Sequence, residues 1–345
     1  MADSESSSDG YLLEATDLKV TFRAPGGRKL HAVDTISIGV RPRETVGLVG
    51  ESGSGKSTVA LTLMRAHEPE GGRIVFNGLD VTHLRERDLR PIRQKLQMVF
   101  QDPYSSLDPR MSVRRIVAEP LKAHRYGTRA QINARVDELL DQVGLPPDAA
   151  ERLPSQFSGG QRQRIAIARA LALEPKALIA DEPVSALDVS IQAQIINLLR
   201  DLQDRLHIAF LVIAHDLALV HQISDRIVVM YLGEAVEEGP SDDIVGRPQH
   251  PYTVALLSAT PVPEVGGDTE RIVLTGDPPS PINRPRGCRF HPRCPVVRDR
   301  CKGEKPPLVE FEPGRKVSCF YAGEMLPPRD LWEHERERLP GDTPV

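Results

Sequence analysis

An α/β fold with a small irregular cysteine-rich tail is predicted by three observations. Short apolar runs that end abruptly in polar residues recur along the first 260 residues, a glycine-rich loop follows the first of them, and all four cysteines fall between Cys288 and Cys319. The 345 residues, 40% apolar and 27% charged, suffice for one large domain or two ordinary ones. No stretch approaches the roughly 18 consecutive apolar residues of a membrane span, and MADSESSSDG lacks the basic and apolar regions of a secretory signal. The expectation is a cytosolic chain. A formal charge of −4 gives no reason to expect nucleic acid or anionic lipid as a partner of the whole surface.

The first run, ETVGLVG, reads as a short buried strand, and STVALTLMRA beyond the loop reads as a helix. Between them Gly50, Gly55, Lys56 and Ser57 fit G-x-x-x-x-G-K-[ST], the phosphate-binding P-loop. Glycines let successive backbone N–H groups face an anion, Lys56 adds a point charge for the β- and γ-phosphates, and the Ser57 hydroxyl is a Mg²⁺ ligand. The loop is expected to hold a nucleoside triphosphate.

Two further runs, ALIADEP (Ala177–Pro183) and AFLVIAHD (Ala209–Asp216), read as buried parallel strands. Ligands of an open parallel sheet sit beyond the carboxyl ends of its strands, and these ends present Asp181, Glu182 and His215 beside the P-loop. Asp181 is placed to hold Mg²⁺, Glu182 to polarise the attacking water, and His215 to steady that water or the γ-phosphate. Taken alone, an acid pair is more often a solvated turn and a strand-end histidine a structural one. The P-loop beside them turns both toward chemistry.

The stretch FSGGQRQRIAIARALALEP (Phe157–Pro175) predicts a helix capped by Ser158, with Ile165, Ala168, Leu171 and Ala172 on an apolar face and Pro175 marking its end. Gly159 and Gly160 leave its N-terminus bare, a second anion site with no lysine at P-loop spacing. It reads as half of a phosphate site, useful where another subunit supplies the rest.

GESGSGKST, FSGGQ, ALIADEP, SALD and AHD, in this order, resemble the ATP-binding subunit of an ATP-binding-cassette (ABC) transporter, over roughly residues 12–260. The resemblance implies a P-loop ATPase cassette with a mixed sheet core and a helical subdomain, whose nucleotide is sandwiched between the P-loop of one subunit and the signature helix of the other. It implies ATP contacts from Gly50, Ser52, Gly53, Ser54, Gly55, Lys56, Ser57 and Thr58, with Phe22 stacking on adenine. A core aromatic is an equally ready reading of Phe22. By the same resemblance Ser57, Gln101 and Asp181 would meet Mg²⁺, and Ser158, Gly159, Gly160 and Gln161 would form the signature that touches ATP in trans. Asp188 would communicate across the dimer. Phe157 stands where the family usually has leucine, a conservative departure.

FQDPYSSLDPRMSV, HPYT and GCRFHPRCP are similar to the second ATPase of dipeptide/oligopeptide uptake systems. That resemblance implies a second, non-identical ATPase, two permease subunits, an external substrate-binding protein, and a place at the cytoplasmic face of the membrane. The helical subdomain, about 102–158, would meet the permease. A flexible N-terminus is expected at 1–11, the cysteine-rich tail at 261–325, and a polar end at 326–345.

Cys288, Cys294, Cys301 and Cys319 are separated by 5, 6 and 17 residues. A reducing cytosol argues against disulfides, while four unconnected thiols remain an open reading. A four-thiolate centre carries a net charge of about −2 with either Zn²⁺ or a [4Fe-4S]²⁺ cluster. Arg284, Arg286, Arg289, Arg293, Arg298 and Arg300 are expected to offset it. Electrostatics thus favours a metal without naming it. The resemblance implies a [4Fe-4S] cluster, with Zn²⁺ as the alternative.

The arginines also support a reading of another class, a cassette ATPase of DNA repair or translation with a four-cysteine metal module. One P-loop, one signature and no extended heptad run argue against it, as Glu182 and His215 argue against a purely regulatory nucleotide binder.

Overall fold

The computed structural model describes residues 10–102, 106–259 and 276–324. The ends expected to be flexible or polar, 1–11 and 326–345 with Trp332, lie outside the described residues apart from Gly10 and Tyr11.

The chain opens with a four-stranded antiparallel sheet, ordered β2-β1-β4-β5, from β1 (Leu13–Arg23), β2 (Lys29–Val40), β4 (Gly71–Phe76) and β5 (Leu79–Asp80). The main sheet is mixed and has eight strands. Its parallel part runs β9-β3-β8-β7-β6, with β3 (Thr45–Val49), β6 (Leu96–Val99), β7 (Ala177–Asp181), β8 (Ala209–Ala214) and β9 (Arg226–Tyr231).

The apolar runs read as strands are strands, and the reason is burial on both faces. Along β8, Phe210, Val212 and Ala214 enter one hydrophobic cluster while Ala209, Leu211 and Ile213 enter the other. Every side chain of β3 is buried as well. At about 1.5–3 kcal/mol for each fully buried aliphatic side chain, these strands are held from both sides.

Helix α1 (Lys56–Leu63) follows β3, and α2 (Glu86–Lys95) leads into β6. The helical subdomain contains α3 (Val113–Ala123) and α4 (Arg129–Gln142), against both of which α5 (Gly159–Leu171) packs. Thr128 begins α4 with a reciprocal capping box to Gln131. Helix α6 (Val189–Leu206) links β7 to β8. The short helices α7 (Leu217–His221) and α8 (Ser241–Gly246) flank β9 and β10 (Glu234–Pro240), and α9 (Pro251–Ala259) ends this part of the chain.

The tail is not irregular throughout, which corrects the sequence expectation. After α10 (Asp299–Gly303), β11 (Val309–Glu312) and β12 (Arg315–Val317) form a hairpin around Gly314, whose φ of +77° suits glycine. The hairpin continues the main sheet, with Glu237 of β10 facing Val317 and Glu238 facing Lys316. The pairing rests on chemistry remote in sequence. Arg315, 1% exposed, donates to the fully buried Glu237 carboxylate at 2.8 Å.

Candidate nucleotide site

The P-loop, the Asp181–Glu182 pair and His215 follow β3, β7 and β8, which are neighbours in the sheet. The three strand ends therefore converge as the sequence predicts. Within the loop, Lys56 is 5% exposed and its ammonium donates to the carbonyl oxygens of Gly50 at 2.6 Å and Glu51 at 2.9 Å. Burial lowers its pKa against the opposing pull of Glu182, Asp181 and Glu51. Gly50 is required by space, since a Cβ there would lie 2.2 Å from the Met230 carbonyl oxygen. Gly55, at φ +104°, begins α1 and would collide with the Ala32 carbonyl at the same distance. The Ser54 hydroxyl is buried without a hydrogen-bond partner, and the Ser54 carbonyl accepts from the Gly233 N–H at 2.8 Å. Ser52 and Gly53 lie on the exposed rim, and Thr58 lies in the first turn of α1.

Ser57 Oγ donates to Asp181 Oδ1 at 3.2 Å, so two hard oxygen donors meet where a divalent cation would bind. Burial raises the Asp181 pKa, the Ser57 hydrogen bond and Lys56 oppose this, and the neighbouring Glu182 adds to it. A cation there would favour the ionised form. Glu182 has a φ of +45°, a strained value for a residue with a side chain, and its N–H donates to the Ile213 carbonyl at 2.8 Å. Its carboxylate meets Gln101 Nε2 at 2.8 Å and His215 Nδ1 at 3.7 Å. Gln101, Glu182 and His215 are thus one contiguous group.

Ser158 caps α5 as predicted, in a capping box in which its oxygen accepts from the Gln161 N–H and Gln161 Oε1 accepts from the Ser158 N–H. The Gln161 side chain is therefore engaged by its own helix. The glycines have a packing role the sequence did not reveal: a Cβ at Gly160 would lie 2.4 Å from Ile191 Cγ2 and one at Gly159 3.0 Å from Leu187 Cδ2. Phe157 is buried, with the Arg152 guanidinium 4.5 Å from its ring centroid. Asp188 stands exposed at the start of α6 beside Val189, which is 81% exposed. Phe22 is half-buried on β1, edge-to-face with His67 at 5.2 Å.

All four cysteines line one small cavity, together with His250 and Phe290. Burial raises the thiol pKa of Cys288, that of Cys294 to about 12 and that of Cys319 to about 11, so a compensating cation is needed to ionise these three. Four sulfur donors around one apolar cavity suit a thiolate-bound metal group. Among the described residues, however, no three of His, Cys, Asp and Glu are gathered closely enough to hold a single ion. Five of the six arginines pair with carboxylates. Arg284 pairs with Asp34, Arg289 with Asp34 and Glu234, Arg293 with Glu51, Arg298 with Glu324 and Arg300 with Glu304. The charge of these five is shared with carboxylates, so none of them is a counter-charge dedicated to a metal centre alone.

Sequence reasoning singled out neither Glu51 nor Tyr252, and it assigned Arg293 to the cysteine centre rather than to the loop. The Glu51 N–H donates to Tyr252 Oη at 2.8 Å, and the Glu51 carboxylate takes two hydrogen bonds from Arg293, at 2.7 and 3.0 Å. One signal was available, namely an acid inside a loop built for phosphate.

Comparison with known proteins agrees with this site. The ABC transporter family matches residues 33–185, and the oligopeptide/dipeptide transporter C-terminal region matches residues 236–301. The chain is 50% identical over 317 residues to the oligopeptide transport ATP-binding protein AppF of Bacillus subtilis (strain 168), covering 89% of this chain and 96% of that protein. Among solved structures, the dimeric post-hydrolysis state of the cassette MJ0796 bound to ADP and Pi superposes with a TM-score of 0.61 at 29% identity, covering 66% of this chain and 98% of that one. The cbiO1 structure from Clostridium perfringens, part of the ABC transporter complex cbiONQ, gives the same score and identity over 68% of this chain and 90% of its own. A P-loop ATPase site on a mixed sheet, continued by a cysteine-bearing C-terminal region, places the chain in the ATP-binding-cassette transporter family, as a cassette ATPase with the oligopeptide/dipeptide transporter C-terminal region.

Proposed function

We propose that this protein binds and hydrolyses ATP to power a multi-subunit importer of dipeptides or oligopeptides, from the cytoplasmic face of the membrane. The observation that carries the reading is the convergence of the P-loop, Asp181, Glu182 and His215 at adjacent strand ends, in a chain that also carries a helix start offering only half an anion site. Peptide as cargo follows from the C-terminal region and from AppF. The partners are a second cassette ATPase, two permease subunits and an external substrate-binding protein, with no role for nucleic acid. Among the described residues no helix is long and apolar enough to cross a membrane, so the membrane path belongs to the permease.

In this reading the P-loop amides and Lys56 hold the phosphates, and Ser57, Asp181 and Gln101 receive Mg²⁺. The bound Mg²⁺ supplies charge neutralisation at the β- and γ-phosphates. Glu182 takes a proton from water as its oxygen attacks the γ-phosphorus and ADP leaves, with His215 holding the γ-phosphate. Ser158 and the bare turn at Gly159 and Gly160 cover the partner's ATP, and Asp188 lies at that junction. Two ATPs close the cassette pair and hydrolysis reopens it, driving alternating access in the permease. Cys288, Cys294, Cys301 and Cys319, which line one cavity, hold a [4Fe-4S] cluster of structural or regulatory purpose in this reading; it is preferred to Zn²⁺ on the resemblance of the cysteine pattern to that of peptide-transporter ATPases.

The test is to purify the protein from native membranes and identify the chains that accompany it. Two permease subunits and a second cassette support the importer, whereas DNA or ribosomes without a membrane chain refute it. Glu182→Gln should keep ATP binding, trap the closed pair and lower turnover about 10²–10⁴-fold. Zinc without iron or sulfide in anaerobically purified protein would refute the cluster.

A further inference from the structure

A carboxylate inside a phosphate-binding loop repels the ligand unless something holds and neutralises it. Glu51 is held at three points. Its carboxylate receives the paired Arg293 hydrogen bonds, a bidentate geometry that fixes direction as well as charge. Its N–H is fixed by the Tyr252 hydroxyl, and its carbonyl accepts from the Lys56 ammonium. Tyr252 is fully buried, its ring 4.6 Å from that of Tyr231 and 5.4 Å from that of Phe290. Arg293 is 8% exposed and immediately precedes Cys294 in a short turn, His291–Arg293. The cysteine-bearing module therefore reaches across 242 residues of sequence to grip the second residue of GESGSGKST.

We propose that Arg293 is a positioning residue of the ATP site: by fixing Glu51 it sets the place of the Glu51 carbonyl and hence of the Lys56 ammonium that must meet the phosphates. Arg293 touches no nucleotide and acts through Glu51. Removing it both frees this segment of the loop and leaves an unneutralised carboxylate within the phosphate-binding loop. The inference rests on the assignment of the P-loop to ATP.

The experiment titrates the full-length chain, in Mg²⁺, with a fluorescent ATP analogue. It compares Glu51→Gln, Arg293→Ala, Arg293→Lys, the double variant Glu51→Gln/Arg293→Ala, and Lys56→Ala. Glu51→Gln and Arg293→Ala should each raise Kd about tenfold, equivalent to about 1.4 kcal/mol. The double variant should be no weaker than Arg293→Ala, since both changes cut one link. Arg293→Lys should recover part of the affinity. Glu51→Gln, which is isosteric, carries the test if Arg293→Ala does not fold; it should melt somewhat lower without nucleotide, because the nearly buried Arg293 loses its counter-charge, and its binding is read at a temperature where it is fully folded. Wild-type affinity in Glu51→Gln, or multiplying losses in the double variant, would overturn the inference. Unchanged binding in Lys56→Ala would instead overturn the assignment of the loop to ATP.

Discussion

Replacing Arg315 by alanine should destabilise the protein far more than replacing its partner Glu237 by glutamine, although both changes break the pair between them. Glu237 is fully buried and accepts three hydrogen bonds, from Arg315 at 2.8 Å and from the N–H groups of Gln249 and His250 at 2.8 and 3.0 Å. Without Arg315 only the two neutral donors remain for a buried charge, and leaving such a charge without its counter-ion costs about 3–5 kcal/mol. Arg315 is better insured. Its guanidinium also donates to the Arg247 carbonyl and lies 3.6 Å from Glu312, so Glu237→Gln should cost about 1–3 kcal/mol. Equilibrium urea unfolding of the two variants against wild type measures the difference. Hydrogen exchange should locate the loosening in β10 and β12 for Arg315→Ala. A loss below about 1 kcal/mol in Arg315→Ala, or equal losses in the two variants, would refute the buried-charge argument.

His250 is fully buried and held neutral, its pKa lowered from 6.5 to about 3 by burial. A depressed histidine pKa contributes stability that is complete above the unfolded value near 6.5 and is lost as pH falls through 6.5 toward 3. Between pH 7 and pH 5 the loss should be about 2 kcal/mol, and His250→Gln should remove that part of the slope. Equal slopes in variant and wild type, by urea unfolding at both pH values, would contradict it. Gly160→Ala should cost about 1–3 kcal/mol, because its Cβ would meet Ile191 2.4 Å away, and should lower ATPase turnover by tilting the start of α5. Wild-type stability would mean that Ile191 yields freely.

The site was legible in the sequence wherever chemistry and local structure coincide. A five-residue strand buried on both faces followed by a glycine-rich loop leaves few alternatives, and Ser158 with Gln161 three residues on writes a helix start into the chain. What pairs distant segments left no such mark. Nothing near Glu51 announces Arg293, and nothing near Arg315 announces Glu237, because each ion pair exists only once the sheet has brought its partners together. The spacing of the four cysteines was silent for the same reason: their common cavity is made by folding around Phe290 and His250. The Gly160 contact with Ile191 shows how one residue type can satisfy two demands, of which the sequence suggested only the anion site.

The hairpin that completes the main sheet also orders events during synthesis. Translation delivers β10 with its buried acid, and the P-loop with Glu51, well before Arg293 and Arg315 leave the ribosome. At ~5–20 residues/s, the stretch from 260 to 317 takes several seconds. Through that interval the nascent cassette has an open sheet edge and two unanswered carboxylates. The residues that answer Glu51 and Glu237 are therefore made late, so a product truncated before Arg293 would carry a P-loop that holds ATP about tenfold more weakly and a cassette with an unfinished sheet edge.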